Sequence, residues 1–189
     1  MQIKSAKLFL ATLAVITVVS QNASAEWMIR ARYSDAEYNK DNSSSPSNLR
    51  FQNTSAPEVA VNYYPSKDLS FELGLSASRS NTDIGRVWVI PANFTALYHF
   101  FSDQPLQVYA GGGVNYTFFS TPSGRDVDYK KDLSPVLQAG SDLQLTKNLL
   151  INIDVKKIFL RPKVSYNNAP YETNTMDPWV FGAGLGFKL

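Results

Sequence analysis

The chain has 189 residues, 44% of them apolar and 13% aromatic, with a mean hydropathy of −0.20. Past the first residues no stretch has the length and apolar purity of a membrane helix, so an all-helical membrane protein is excluded. There is no cysteine and one histidine, which removes disulfides and thiolate metal sites and leaves little room for zinc or histidine-dependent catalysis.

In chain order, Lys4 and Lys7 precede an apolar run from Leu8 to Val19, and Ala23-Ser24-Ala25 supplies small residues at cleavage positions. This predicts a secretory signal peptide over 1–25 and a single domain over 26–189. The formal charge of +2 resides in those two lysines; beyond them sixteen basic residues face sixteen acidic ones, with no bias toward nucleic acid. From Leu69 the apolar residues Leu69, Phe71, Leu73, Leu75 and Ala77 alternate with Ser70, Glu72, Gly74, Ser76 and Ser78. That is the period of a strand with one apolar face. Trp179, Phe181, Ala183, Leu185, Phe187 and Leu189 repeat the pattern at the other end.

The same test predicts eight strands, near 26–38, 55–64, 69–79, 91–101, 105–117, 134–145, 149–161 and 178–189. Between them, tight turns at 65–68, 102–104 and 146–148 alternate with longer polar segments at 39–54, 80–90, 118–133 and 162–177. Short and long connections at opposite ends describe an all-β, eight-stranded antiparallel up-and-down transmembrane β-barrel of the bacterial outer membrane. A soluble barrel of the lipocalin kind has the same alternation with its apolar face inward. The aromatics argue for lipid. Trp27, Tyr98, Phe100, Trp179 and Phe187 fall on the apolar face near strand ends, where amphipathic rings form interfacial belts.

The opposite face is charged. Arg30, Arg32, Glu58, Glu72, Asp142, Asp154 and Lys156 are predicted to pair across a lumen barely wide enough for its own side chains, with His99 as a hydrogen-bond partner. Such a network closes the lower lumen to water-filled conduction. Closure of the sheet places Arg30 and Arg32 beside Gly182, Gly184 and Gly186, which either make room for the guanidinium groups or merely ease the coiling of the strand. No Ser–His–acid constellation is readable, so no enzyme activity and no cofactor or metal is expected.

Several segments resemble the outer membrane protein W (OmpW) family across nearly all of 26–189. They are Glu26-Trp27-Met28-Ile29-Arg30-Ala31-Arg32, the proline-led run from Pro91 to Tyr98-His99-Phe100, Tyr109-Ala110-Gly111-Gly112-Gly113, Leu137-Gln138-Ala139-Gly140 and Asp177-Pro178-Trp179. The resemblance implies uptake of small hydrophobic or amphipathic molecules that enter from outside and leave sideways into the membrane. It places the lateral opening beside a strand-starting proline, here Pro91, which reads equally as the simple start of a strand. Val87, Trp88 and Ile90 then read either as an apolar vestibule leading to Pro91 or as ordinary strand in the outer leaflet. Three departures from the family stand out. The last residue is Leu189 where an aromatic is usual, and Lys157 falls on the lipid-facing phase, so it should lie at the outer rim and snorkel. The inward phase carries Glu72, Gly74, Asp154 and Lys156 where the family's constriction is described as hydrophobic, which speaks against a purely hydrophobic route. The alternative function is a structural, adhesive or receptor barrel that presents its loops without transport. The expected partners are outer membrane lipid and lipopolysaccharide, the barrel-assembly machinery and small apolar ligands; no nucleic acid is expected, and the barrel is expected to be a monomer.

Overall fold

The computed structural model describes residues 26–38, 53–82, 85–119, 127–130, 133–161, 163–166, 172–173 and 177–189. The predicted signal peptide lies outside them, as does most of the segment 39–54. The elements are β1 (Glu26–Glu37), β2 (Thr54–Ser66), β3 (Leu69–Ser76), β4 (Ser78–Thr82), β5 (Gly85–Phe100) and β6 (Leu106–Phe119). They continue with β7 (Val127–Lys130), β8 (Leu133–Gln144), β9 (Leu149–Ile158), β10 (Lys163–Tyr166), β11 (Glu172–Thr173) and β12 (Trp179–Lys188).

Neighbouring barrel strands pair antiparallel in the order β3-β2-β1-β12-β9-β8-β6-β5-β4, and β3 also pairs with β5. With β3 and β4 forming one stave, the sheet is a closed eight-stranded barrel. Closure follows from the solvent: hydrocarbon offers no partner to a free backbone N–H or C=O, so the sheet has no open edge. The seam between the first and last strands runs from Met28↔Lys188 to Glu37↔Trp179.

Alternation assigns the two faces. Along β1, Met28, Arg30, Arg32 and Ser34 are buried in the lumen, while Ala31, Tyr33 and Asp35 point out. Large apolar side chains cover the outside, among them Leu73, Phe94, Leu137, Ile153, Phe181 and Leu185, each 47–58% exposed. A soluble protein does not present a continuous apolar girdle of this kind around an ionic interior. The predicted interface aromatics all lie on this outer face. Tyr98, Phe100, Trp179 and Phe187 are 46–52% exposed, and half-buried Trp27 packs on Tyr63 with ring centroids 4.9 Å apart.

Two expectations need correction. The segment 80–90 is mostly strand: β4 pairs with β5 from Ser78↔Val89 to Thr82↔Gly85. Of the two readings of Val87-Trp88-Val89-Ile90, the structure bears out ordinary strand, and this β-branched and aromatic run carries β5 into the segment read as a polar loop. Pro91 therefore sits inside the 16-residue β5, not at its start. In addition, β7, β10 and β11 pair into a small antiparallel sheet formed by segments read as loops.

Candidate functional site in the lumen and its side wall

The lumen is layered. At the turn end Met28, Tyr64 and Leu150 pack together, with Leu97 also buried. At the loop end Val136, Ile158 and Leu160 form a second apolar cluster, against which Tyr38, Phe119 and Val180 pack. Between these plugs lie the ionic residues.

Arg30 donates to Glu72 at 2.6 Å, to Asp142 at 2.5 Å and to Asn62 at 2.7 Å. Arg32 pairs with Glu72 at 2.5 Å, Glu58 at 2.8 Å and Asp154 at 3.4 Å. Lys156 bridges Glu58 at 2.9 Å and Asp154 at 2.5 Å. All seven charged side chains predicted for the lumen thus form one network, and none is more than 6% exposed.

Three cations face four carboxylates, and every carboxylate oxygen accepts at least one hydrogen bond. The neutral donors are Ser34 to Glu58, Gln138 to Glu72 and Asp154, Tyr109 to Asp154, and Asn152 to Asp142. Pairing of every carboxylate oxygen is what permits these charges in a dry interior, where an isolated ion would be prohibitive, while Arg30 Nε, Arg32 Nε and Asn62 Nδ2 are buried without a hydrogen-bond partner. Sequence reasoning counted the charges and missed these neutral partners, although Asn62, Asn152, Gln138 and Tyr109 fall on the same inward phase.

His99 is buried but forms no ion pair. Its Nε2 lies 2.8 Å from Ser70 Oγ, and its ring packs between Tyr64 and Tyr109 at 5.1 and 5.3 Å. This Ser–His pair was not legible in the sequence. Its geometry lacks the orienting group a nucleophile needs: His99 Nδ1 has no partner, and Ser70 and His99 are 0% and 1% exposed.

The glycines opposite Arg30 and Arg32 act differently from the expectation. A Cβ on Gly184 would meet the β1 backbone, 2.0 Å from the Ala31 carbonyl oxygen, and one on Gly186 would meet Leu150 at 2.5 Å. Only Gly182 faces an arginine stem, Arg32 Cδ at 3.5 Å. Close backbone approach, not guanidinium volume, excludes side chains from Gly184.

The side wall has a fault. The β2–β3 ladder runs to Glu58↔Ser76, so Pro57 and Ala77 come next in register without pairing. The β3–β5 ladder ends at Leu75↔Ala92, and pairing with β5 resumes in unchanged register at Ser78↔Val89. Ladders on both sides of the stave therefore lapse at Ala77, next to two prolines that have no N–H to give. On its other side β5 pairs continuously with β6 through Pro91↔Thr117. Beyond the fault, Thr54 Oγ1 donates across to the Arg79 carbonyl at 3.3 Å.

Inside this fault lies an upper-lumen cavity of about 40 Å³, bordered by Ser76, Ser78, Val89, Pro91, Ile158 and Lys156. That is room for water and not for a cargo molecule. Pro91 lines it, but Trp88 and Ile90 do not: both project outward, 39% and 38% exposed, and inward-facing Val89 takes the place assigned to them. Strand alternation through Val89 sends its two neighbours to the lipid side. The Val87 side chain lies outside the described residues. Lys157 is half-buried on the outer face, where its Nζ donates to the Asp177 carbonyl at 2.6 Å and lies 4.9 Å from the Trp179 ring centre.

A closed sheet with an apolar exterior, aromatic girdles and a paired ionic core defines an outer membrane β-barrel. Residues 8–189 match the OmpW family, and the chain belongs to it. It is similar to the outer-membrane protein y4mB of Sinorhizobium fredii, with 28% identity over 76% of this chain and 69% of that one. It is also 28% identical to the dibenzothiophene metabolism operon protein PahQ of Pseudomonas aeruginosa, over 54% of this chain and about half (52%) of the relative. Among solved structures the fold matches the outer membrane protein OprG of Pseudomonas aeruginosa, with a TM-score of 0.71, 16% identity, and coverage of 88% of this chain and 96% of that one.

Proposed function

We propose that the barrel admits small hydrophobic or amphipathic molecules at its loop end and releases them sideways into the membrane through the fault at Ala77. The observation that carries this reading is the lapse of both ladders around one residue. Backbone pairing is what seals a barrel wall, and at Ala77, among the described residues, it gives way to side-chain bonds from Thr54 to the Arg79 carbonyl and from Ser78 to the Val89 carbonyl before the β4–β5 ladder resumes.

The axial alternative is opposed by the ionic network. A molecule reaching the level of Glu58 and Lys156 would have to break several buried pairs to continue, each strongly unfavourable to open. A sideways step past Ser76 and Ser78 breaks few backbone bonds. The cavity as it stands is smaller than any such cargo, so release requires the fault to widen. The name borne by PahQ agrees with an apolar aromatic cargo class. Small apolar ligands, surrounding lipid, the assembly machinery and a monomeric state belong to this same proposal.

The test uses the absence of cysteine. A Pro57→Cys/Ala77→Cys pair, oxidised in the folded barrel, would staple the fault. Uptake of a small aromatic hydrocarbon into cells or vesicles should fall on oxidation and recover on reduction. Equal uptake in both states would sink lateral release. Uptake unchanged by deletion of the whole protein would favour the structural or adhesive reading.

A further inference from the structure

Charged side chains on the lipid-facing side of the barrel strands are confined, among the described residues, to one level. They are Asp35 and Glu37 on β1, Arg79 on β4 and Lys157 on β9. Lys157 is the ninth residue after Asn148 in the β8–β9 turn, and Arg79 the eleventh after Asp68 in the β2–β3 turn. A tilted strand of about 9–11 residues spans the hydrocarbon. Both cations therefore stand one membrane thickness from the short turns, at the loop-end interface.

Each cation rests on an indole. The Arg79 guanidinium carbon lies 4.1 Å from the Trp88 ring centre, and Lys157 Nζ lies 4.9 Å from that of Trp179. The indole holds the charge at the boundary of apolar and polar phases. Lys157 spends one N–H on the Asp177 carbonyl and keeps two. Arg161, 62% exposed, adds a second cation beside the Asp177 carboxylate at 3.7 Å, leaving that cluster net positive. Among the described residues no carboxylate lies within ion-pair distance of Arg79. At the opposite rim the outward strand positions carry Trp27, Tyr63, Tyr98, Phe100 and Phe187 and no described lysine or arginine, while its exposed lysines Lys67 and Lys147 stand in the turns, Lys67 paired with Asp103 at 2.8 Å.

We propose that the loop-end rim binds the phosphates of lipopolysaccharide, with Arg79–Trp88 and Lys157–Trp179 as its two contact points. The pairs flank β1 and β2, so a phosphorylated glycolipid lying along that face meets a cation on each side. Asp35 and Glu37 stand between them, and Asp35 accepts a hydrogen bond from Ser55, so the two cation–indole pairs at the flanks are the phosphate contacts. The confinement of outward-facing strand cations to the loop end matches a membrane whose outer leaflet alone is built of phosphorylated glycolipid. The inference does not depend on transport, because both pairs face the membrane and not the lumen.

The test titrates lipopolysaccharide into the folded barrel in phosphatidylcholine nanodiscs, reading tryptophan fluorescence. Phosphatase-treated lipopolysaccharide and phosphatidylglycerol are the comparison ligands. Binding of the intact glycolipid should exceed both. The Arg79→Gln/Lys157→Gln variant should lose about thirtyfold in affinity at low salt, roughly fivefold per cation, and Arg79→Lys/Lys157→Arg should retain it. Equal binding of the dephosphorylated glycolipid or of phosphatidylglycerol overturns the proposal. So does a double variant within twofold of the parent. The comparison of ligands on the unmodified protein decides the matter even if the double variant does not fold.

Discussion

Arg30→Met is the most informative perturbation of the lumen. The change deletes ion pairs with Glu72 and Asp142 and the donations to Asn62 and Tyr64. Glu72 keeps Arg32 and Gln138, but Asp142 is left with the single amide of Asn152. The network shifts from three cations against four carboxylates to two against four. Removing one partner of a buried pair costs about 3–5 kcal/mol, because the remaining charge stays desolvated. If the lumen were wet, the loss would fall to about 0–1 kcal/mol, the worth of an exposed pair.

Adding Asp142→Asn separates the two cases. The double variant has two cations and three carboxylates, which restores the parental imbalance, and its loss should fall short of the sum of the single losses by about 1–3 kcal/mol. Reversible urea unfolding in lipid vesicles, followed by tryptophan emission, measures all three. An Arg30→Met barrel within about 1 kcal/mol of the parent, or strictly additive losses, would refute a dry lumen in which every carboxylate is paired.

Other outcomes follow from the same geometry. Gly184→Ala should prevent barrel closure, since its Cβ would fall 2.0 Å from a β1 carbonyl, whereas Gly74→Ala should fold, its nearest contact being Glu58 Oε1 at 3.5 Å; heat-modified gel migration distinguishes them. Planar bilayers should show no large, stable conductance from the pure protein, and a steady wide-open channel would contradict the plugged lumen. Brominated acyl chains should quench Trp27, Trp88 and Trp179 more strongly at shallow than at central positions, and maximal quenching from the bilayer centre would misplace the girdles. Lys67→Ala should leave the unfolding midpoint unchanged, because its 2.8 Å bridge to Asp103 is solvated, with both side chains more than three-quarters exposed.

The sequence alone determined the stave pattern, the direction of each face and the cast of buried charges. Period-two alternation is a local property of an extended chain, and the sign of the outer face follows from solvent: Phe181 and Leu185 tolerate acyl chains where Arg30 and Asp154 do not. It therefore put all seven lumen charges and all five interface aromatics on the sides where they are found. In the segment 80–90 the strand reading of Val87–Ile90 holds and the vestibule reading fails for Trp88 and Ile90, which point outward. The described residues before them belong to β4 and the start of β5, and Pro91 lies inside a strand, not at its start. Only the tertiary structure decided who meets whom. The Ser70–His99 contact, Gly140 yielding to the Tyr109 hydroxyl, and the coincidence of Pro57 and Pro91 about Ala77 join positions far apart in the chain. Those meetings depend on register and on the stagger of a closed sheet, which fix relations between strands that no single strand encodes.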